Sequence, residues 1–131
     1  MAERIGLVEC PEELIGRVLD AATAVHRAFG PGLLESVYEL ALMMELTEMG
    51  IAACRQVEVP VSYGGEPLGV GFRADIIAAD SLLLELKAIA EVTAVHQAQV
   101  ITYLKLLGIR RGYILNFNRP LLRDGIKRIS I

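Results

Sequence analysis

Asp75, Glu85 and Lys87 are the residues whose types and spacing best suit chemistry on a phosphate. Glu85 and Lys87 lie two residues apart within the apolar stretch SLLLELKA, so a strand would place both side chains on one face. A charged group in an apolar strand is costly unless it is paired, hydrogen-bonded or bound to a metal. The stretch therefore predicts either a compensated ion cluster or a functional site, and spacing alone favours neither.

Asp75 lies ten residues before Glu85, in a strand-like run from Leu68 to Ala78. If the turn Ala79–Ser81 joins the two runs as a short hairpin loop, Asp75 falls opposite Leu84 or Glu85. Adjacent carboxylates repel each other, and a divalent cation is the simplest group that makes the arrangement favourable. Oxygen-only ligation favours Mg²⁺ or Mn²⁺ over zinc. With Lys87 nearby, this is the arrangement of metal-assisted phosphodiester hydrolysis.

The elements that position these residues follow from hydrophobic periodicity. The pattern predicts helices over Pro11–Phe29 and Leu33–Met49, and a third over Ala94–Leu107 with Thr93 as its N-cap. From Ile51 the period changes to two, which predicts strands. The remaining strands are expected at Ser81–Ala88, Gly112–Phe117 and Ile126–Ile131. The order helix, helix, three strands, helix, two strands implies a mixed sheet in an α/β sandwich.

Glycines mark the turns within this pattern. Gly64-Gly65 supplies the positive φ angles of a hairpin turn, and Gly69 and Gly71 indicate a bulge or a close backbone approach. The chain of 131 residues fits one domain, residues 1–131, with a real core.

Composition excludes several classes of protein. The chain is 53% hydrophobic with a mean hydropathy of +0.46, yet charged residues interrupt every apolar segment, so no membrane span is expected. Its N-terminus lacks the pattern of a signal peptide, which favours a cytoplasmic protein with two free thiols, Cys10 and Cys54. The high apolar fraction also leaves room for a homodimer interface.

Charge is distributed unevenly about a net value of −3. Residues 105–131 hold seven Lys or Arg against one Asp, whereas the preceding residues are acidic on balance. This basic segment indicates either an anion-binding surface or an internal match for the acidic part of the chain.

Three motifs carry a resemblance. Asp75 followed by Glu85-Leu86-Lys87 is similar to the D…ExK signature of the PD-(D/E)XK nuclease superfamily, with Ala74 in place of the proline. Gly32–Tyr38 reads GxxExxY and, with RAD at Arg73–Asp75 and the DGIKRI ending, resembles the small bacterial GxxExxY family within that superfamily over Leu14–Ile131. Gln99–Tyr103 reads QxxxY, a motif of RecB-like and phage exonucleases. The resemblance implies a restriction-endonuclease-like three-layer sandwich with a mixed central sheet in α-α-β-β-β-α-β-β order.

The resemblance also implies roles for individual residues. Glu35, Asp75 and Glu85 would bind the metal together with the Leu86 carbonyl, and Lys87 would be the catalytic lysine. Gln99 and Tyr103, four residues apart on one helical face, would act beside them. From the residues themselves, Arg73 and His96 are candidate phosphate contacts. For His96 and His26, a hydrogen-bonded structural histidine is the stronger interpretation. Tyr38 is expected either to form a hydrogen bond within the site or to pack. Glu39 is expected to be a solvated or paired charge.

The implied function is that of a nuclease-like protein, dependent on Mg²⁺ or Mn²⁺, that hydrolyses phosphodiester bonds. DNA is the first substrate candidate and RNA the second, with little sequence specificity expected. Aromatic content of 5% without tryptophan leaves a thin platform for stacking bases. The alternative is a catalytically silent nuclease-fold module that binds nucleic acid or a protein partner within a larger complex.

Overall fold

The computed structural model describes residues 6–131. Their elements confirm the predicted order. In sequence they are α1 (Glu12–Phe29), α2 (Glu35–Glu48), β1 (Ala53–Tyr63), β2 (Glu66–Ala78), β3 (Leu82–Lys87), α3 (Ala94–Leu107), β4 (Arg111–Asn116), a 3₁₀ turn (Leu122–Gly125) and β5 (Ile126–Ser130).

The strands form one mixed sheet in the spatial order β1-β2-β3-β4-β5. Neighbouring strands are antiparallel except β3 and β4, which are parallel. Parallel strands cannot be joined by a hairpin, and α3 makes the crossover between them. The carboxyl ends of β3 and β4 therefore meet at one edge of the sheet, where Lys87 pairs with Asn116.

Helices cover both faces of this sheet. The buried side chains of α1 and α2 share a core with Ile76, Leu84 and Leu86, whereas those of α3 pack against Leu83 and Ile114. A strand that is buried on both faces reads as a continuous apolar run, which explains the sequence of SLLLELKA. The result is the expected three-layer sandwich. Within residues 6–131, no helix is long and apolar enough to cross a membrane.

The start of α2 differs from the prediction. The helix begins at Glu35 rather than Leu33, and the Leu34 side chain just before it is 74% exposed. The preceding turn is held by Tyr38, whose hydroxyl donates to the Gly30 carbonyl at 2.6 Å and accepts from the Leu33 amide at 3.1 Å. These bonds fix the chain as it enters α2, and with it the position of Glu35.

The β1–β2 hairpin turns at Gly64 and Gly65, with φ of 60° and 83°. Its ladder shifts register between Pro60 and Ser62, and Gly69 across from this segment has φ of 71°. A Cβ on Gly71 would lie 3.3 Å from the Val59 carbonyl oxygen. The expected bulge and close backbone approach are both present.

Candidate metal and active site

The candidate site forms where β2 and β3 separate. Their ladder ends at the pair Ile76–Leu84, and Asp75 and Glu85 are the residues one step beyond it. There, side chains take over the bonding: the Asp75 amide donates to Glu85 Oε2 and the Leu86 amide donates to Asp75 Oδ2, each at 2.8 Å. Each carboxylate is thus held by the backbone of the opposite strand, and the two acids are neighbours, as the turn length predicted.

Burial makes this pair electrostatically expensive. Glu85 is only 5% exposed, and burial, followed by repulsion from Asp75, raises its pKa to about 8. Burial also raises the pKa of Asp75, against the hydrogen bond from the Leu86 amide and with repulsion from Glu39 and Glu35. A cation placed between the carboxylates would favour their ionised forms.

Lys87 ends β3 on the same face as Glu85 and is half-buried. Its positive charge acts to lower the pKa of both Glu85 and Asp75, although burial dominates. Its carbonyl accepts a hydrogen bond from the Phe117 amide at 2.8 Å, which fixes the backbone just beyond β4. Leu86 points to the opposite face and is buried in the core beneath α1 and α2.

Glu35, in the first turn of α2, is exposed and reaches the end of β3. Its Oε2 accepts a hydrogen bond from the Ala88 amide at 3.3 Å. The charge of Glu35 raises the pKa of both Asp75 and Glu85, so its carboxylate belongs to the electrostatic surroundings of the pair. It does not complete a ligand cage: within residues 6–131 no group of three or more His, Cys, Asp or Glu side chains has a metal-binding arrangement.

Glu39, one turn further along α2, is the paired charge that was one of its two predicted states, and its burial was not predicted. It is 5% exposed and accepts hydrogen bonds from Arg55 Nε and Gln56 Nε2, both at 2.8 Å. Helical spacing offered a signal, because Glu39 is three residues before the buried Leu42 and seven before the buried Leu46. A glutamate on that stripe requires partners, and β1 supplies them.

Gln56 adopts an unusual backbone conformation directly beside the site. Its φ of 52° lies in the left-handed region, which is costly for a residue other than glycine. Because Arg55 pairs with Ile76 and Val57 with Ala74, Gln56 lies opposite Asp75 in the ladder. Consecutive strand residues normally face opposite ways, yet here Arg55 and Gln56 both reach Glu39. The local backbone distortion thus links α2 to the strand position facing Asp75.

Helix α3 covers the sheet face opposite α1 and α2, and it carries Gln99 and Tyr103. Tyr103 is 4% exposed, and burial raises its pKa, with further contributions from the charges of Glu85 and Asp75. Tyr103 packs in the same core as Leu83, on the sheet face to which Glu85 also points. Gln99 is half-buried one turn before it.

Other residues singled out from the sequence have structural contacts. His96 closes the capping box of α3, its Nδ1 accepting from the Thr93 amide at 2.9 Å. His26 is buried, and its Nε2 lies 2.8 Å from the Arg119 carbonyl oxygen. Tyr38 stacks on Phe117 with ring centroids 4.4 Å apart. These contacts agree with a structural interpretation of both histidines and with packing by Tyr38. Arg73 is exposed on β2 and pairs in register with Glu58.

The donor set suits a hard divalent cation. Asp75 and Glu85 each use one oxygen to accept a backbone amide, and their second oxygens, Oδ1 and Oε1, accept no hydrogen bond from another described residue. Two carboxylates held in place with an oxygen each to spare match the ligand preference of Mg²⁺ or Mn²⁺. The residues present therefore fit such an ion.

Fold and site together define an α/β sandwich whose central sheet carries a carboxylate pair followed by a lysine. A family model described as the PD-(D/E)XK nuclease superfamily matches residues 12–129. The chain belongs to this superfamily, and its sandwich is restriction-endonuclease-like. Membership indicates a nuclease-like function on nucleic acid, and superfamily members generally use divalent metals. Comparisons with curated proteins and with solved structures gave no match.

Proposed function

We propose that this protein hydrolyses phosphodiester bonds in nucleic acid, DNA first, with Mg²⁺ or Mn²⁺ held between Asp75 and Glu85. The observation that carries the proposal is the reciprocal bonding at the separation of β2 and β3. It holds the two carboxylates together although burial, followed by repulsion from Asp75, raises the pKa of Glu85. Such an arrangement is unfavourable in the bare protein and becomes favourable with a cation.

Asp75, Glu85 and the Leu86 carbonyl would hold the ion, with Glu35 joining through water or by a side-chain rotation. When bound, the ion supplies a water of lowered pKa and stabilises negative charge on the phosphate. The backbone bonds from the Asp75 and Leu86 amides keep the carboxylates in place. Little reorganisation of the protein is then needed to receive the substrate.

Lys87 and the α3 residues act on the phosphate. The Lys87 ammonium, on the Glu85 face, neutralises charge that develops on the phosphate oxygens and orients the attacking water. The Tyr103 hydroxyl and the Gln99 amide lie on one face of α3 and orient the phosphate by donating hydrogen bonds. Arg73 and His96 Nε2 are outer candidates for phosphate contacts. Because these side chains all address phosphate rather than base edges, we expect little sequence specificity.

Within the superfamily, the GxxExxY motif at Gly32–Tyr38 supports assignment to the GxxExxY family, and Gln99–Tyr103 supports a QxxxY site. The Tyr38 hydroxyl closes the turn that leads into α2. The first motif would therefore place Glu35 through its tyrosine. A homodimer stays a prediction of the apolar composition, and sedimentation velocity tests it.

The test is cleavage of labelled linear and circular DNA, single- and double-stranded, and of RNA, by the purified protein. We expect products with Mg²⁺ or Mn²⁺ and none in EDTA. Glu85→Gln and Lys87→Met should each lower the rate by on the order of 100-fold or more, because each removes charge from the reacting phosphate's surroundings. Circular substrates separate internal cleavage from attack at ends.

Exposed residues of the same types provide matched controls. Glu66→Gln on the hairpin and Lys105→Met on α3 should cleave at the wild-type rate. Activity that survives undiminished in Glu85→Gln would reveal a contaminating nuclease and overturn the proposal. Binding of nucleic acid without cleavage under every metal would instead support the catalytically silent module.

A further inference from the structure

The basic residues near the end of the chain divide into two groups in the structure. Arg110 pairs with Glu9, and Arg111 and Arg128 both pair with Glu12. This group lies beside the first half of β4 and balances acidic residues that precede α1 or begin it. Part of the basic segment therefore neutralises acidic residues from the beginning of the chain, which was one of the two predicted explanations of the charge distribution.

The second group lies around the 3₁₀ turn that follows β4. Arg119, Arg123 and Lys127 form no ion pair with another residue of the described range 6–131. Arg27, from the last turn of α1, joins them across a pocket of about 280 Å³ that Thr23, His26 and Arg123 also line. We call Arg27, Arg119, Arg123 and Lys127 the basic edge.

The basic edge adjoins the candidate site. Asn116 ends β4 opposite Lys87, and its side chain bonds to both the amide and the carbonyl of Ile89, just beyond β3. A second pocket of about 200 Å³ opens beside Asn116 and is lined by Arg119 and Lys127. The pocket therefore lies beside the residue of β4 that pairs with Lys87.

The two pockets differ in charge. Glu91 and Asp124 line the pocket beside Asn116, so its two basic residues are balanced locally. The pocket between α1 and the 3₁₀ turn has no acidic lining residue, and Arg27 and Arg123 leave it with two positive charges. The His26–Arg119 contact at 2.8 Å connects the segment that leads into the 3₁₀ turn to the last turn of α1.

We propose that the basic edge binds the sugar–phosphate backbone of a nucleic acid on one side of the scissile phosphate, with Arg27 and Arg123 as its principal phosphate contacts. Guanidinium groups match phosphate geometry and stay charged at every working pH. Because these side chains would contact phosphates and not base edges, their contribution to the binding free energy is expected to be independent of base sequence and sensitive to salt. The substrate class rests on the proposed function.

The test measures binding rather than cleavage, by fluorescence anisotropy of labelled DNA and RNA oligonucleotides in EDTA at several salt concentrations. Arg27→Gln/Arg123→Gln should reduce the slope of log affinity against log salt by about 1.4 to 1.8, since each lost phosphate contact removes roughly 0.7 to 0.9. Arg119→Gln/Lys127→Gln should reduce it less. All four residues are at least partly exposed, and circular dichroism checks that the variants fold.

Arg110→Gln/Arg128→Gln removes the same charge from the ion-paired group and should leave the slope unchanged. An equal loss in this control would show that only net charge matters and would overturn the proposal. If the wild type cleaves DNA while the Arg27/Arg123 variant binds as tightly as wild type, the basic edge is wrong and the proposed function stands. A third outcome is that the wild type binds tightly with salt dependence, the variant loses this binding, and neither protein cleaves. This outcome would support the basic edge and contradict only the proposed hydrolysis.

Discussion

The Asp75 amide donates to the Glu85 carboxylate across the point where β2 and β3 separate, while the Leu86 amide donates to the Asp75 carboxylate, each at 2.8 Å. Ladder bonds between two backbones have been replaced by bonds from backbone to side chain. The sheet therefore keeps its connection while presenting two acids side by side. This arrangement places two carboxyl groups close together in a buried site, which makes ionisation of Glu85 unfavourable. The dependence of stability on pH measures that free-energy cost.

The first prediction concerns pH. The pKa of Glu85 is raised from 4.5 to about 8 by folding, so the folded state holds a proton that the unfolded state releases between these values. Stability of the metal-free protein should be greatest below the unfolded pKa and fall as pH rises toward 8, by a few kcal/mol at ~1.4 kcal/mol per unit of pKa shift. Urea unfolding in EDTA at pH 5, 6.5 and 8 measures this loss.

Glu85→Gln isolates the carboxyl. Its amide oxygen can still accept from the Asp75 amide but never ionises, so the variant should be more stable than wild type at pH 8 and lose less stability between pH 5 and 8. The same dependence on pH in both proteins would show that Glu85 is not the titrating group.

The second prediction concerns metal binding. Mn²⁺ must displace the proton from Glu85, so affinity should rise by up to on the order of tenfold per pH unit below the pKa of about 8. Calorimetry at pH 6.5 and 7.5, in two buffers of different ionisation enthalpy, measures both affinity and released protons. Asp75→Asn should abolish binding, whereas Lys87→Met should retain it. Absence of binding in the wild type would remove the metal-dependent mechanism.

The third prediction concerns Gln56, whose left-handed backbone lies opposite Asp75. Glu39→Ala removes the acceptor that holds both Arg55 and Gln56, so the strand facing Asp75 should relax. Amide hydrogen exchange at Asp75 and Leu86, whose N–H groups hold the two carboxylates, should then accelerate by more than the global loss of stability explains. Gln56→Gly relieves the backbone strain while removing one bond, and it should disturb these amides less. Uniform acceleration across the sheet in Glu39→Ala would reduce Glu39 to a general stabilising role.

The fourth prediction compares two buried tyrosines. Tyr38→Phe loses the hydroxyl that bonds to Gly30 and Leu33, and it should cost about 1 to 3 kcal/mol of unfolding free energy. Tyr103→Phe is its control, because the Tyr103 hydroxyl bonds to no other described residue, and its effect should stay below about 1 kcal/mol. On the proposed function, their order reverses for cleavage, with Tyr103→Phe the slower enzyme. Equal losses of stability would contradict the role of Tyr38 in the turn.

Much of this arrangement was readable from the sequence because it depends on local rules. Periodicity and glycine positions gave the element order, and a hairpin of known loop length gave the neighbourhood of Asp75 and Glu85. The boundary at Glu35 was wrong by two residues because the turn before it is held by a side chain from within α2, which no periodicity reports.

Tertiary structure decided what depends on segments distant in the chain. The burial of Glu39 requires partners from β1. The strained backbone at Gln56 accompanies a hydrogen bond from its side chain to the Glu39 carboxylate on α2. The basic segment looked uniform in sequence, yet Arg128 meets Glu12, 116 residues away, while Arg123 faces a pocket beside α1. Local propensities fix which residues form each strand and helix; which charges are neutralised and which remain available is set by packing between elements, because Coulomb attraction and burial depend on distances in space rather than along the chain.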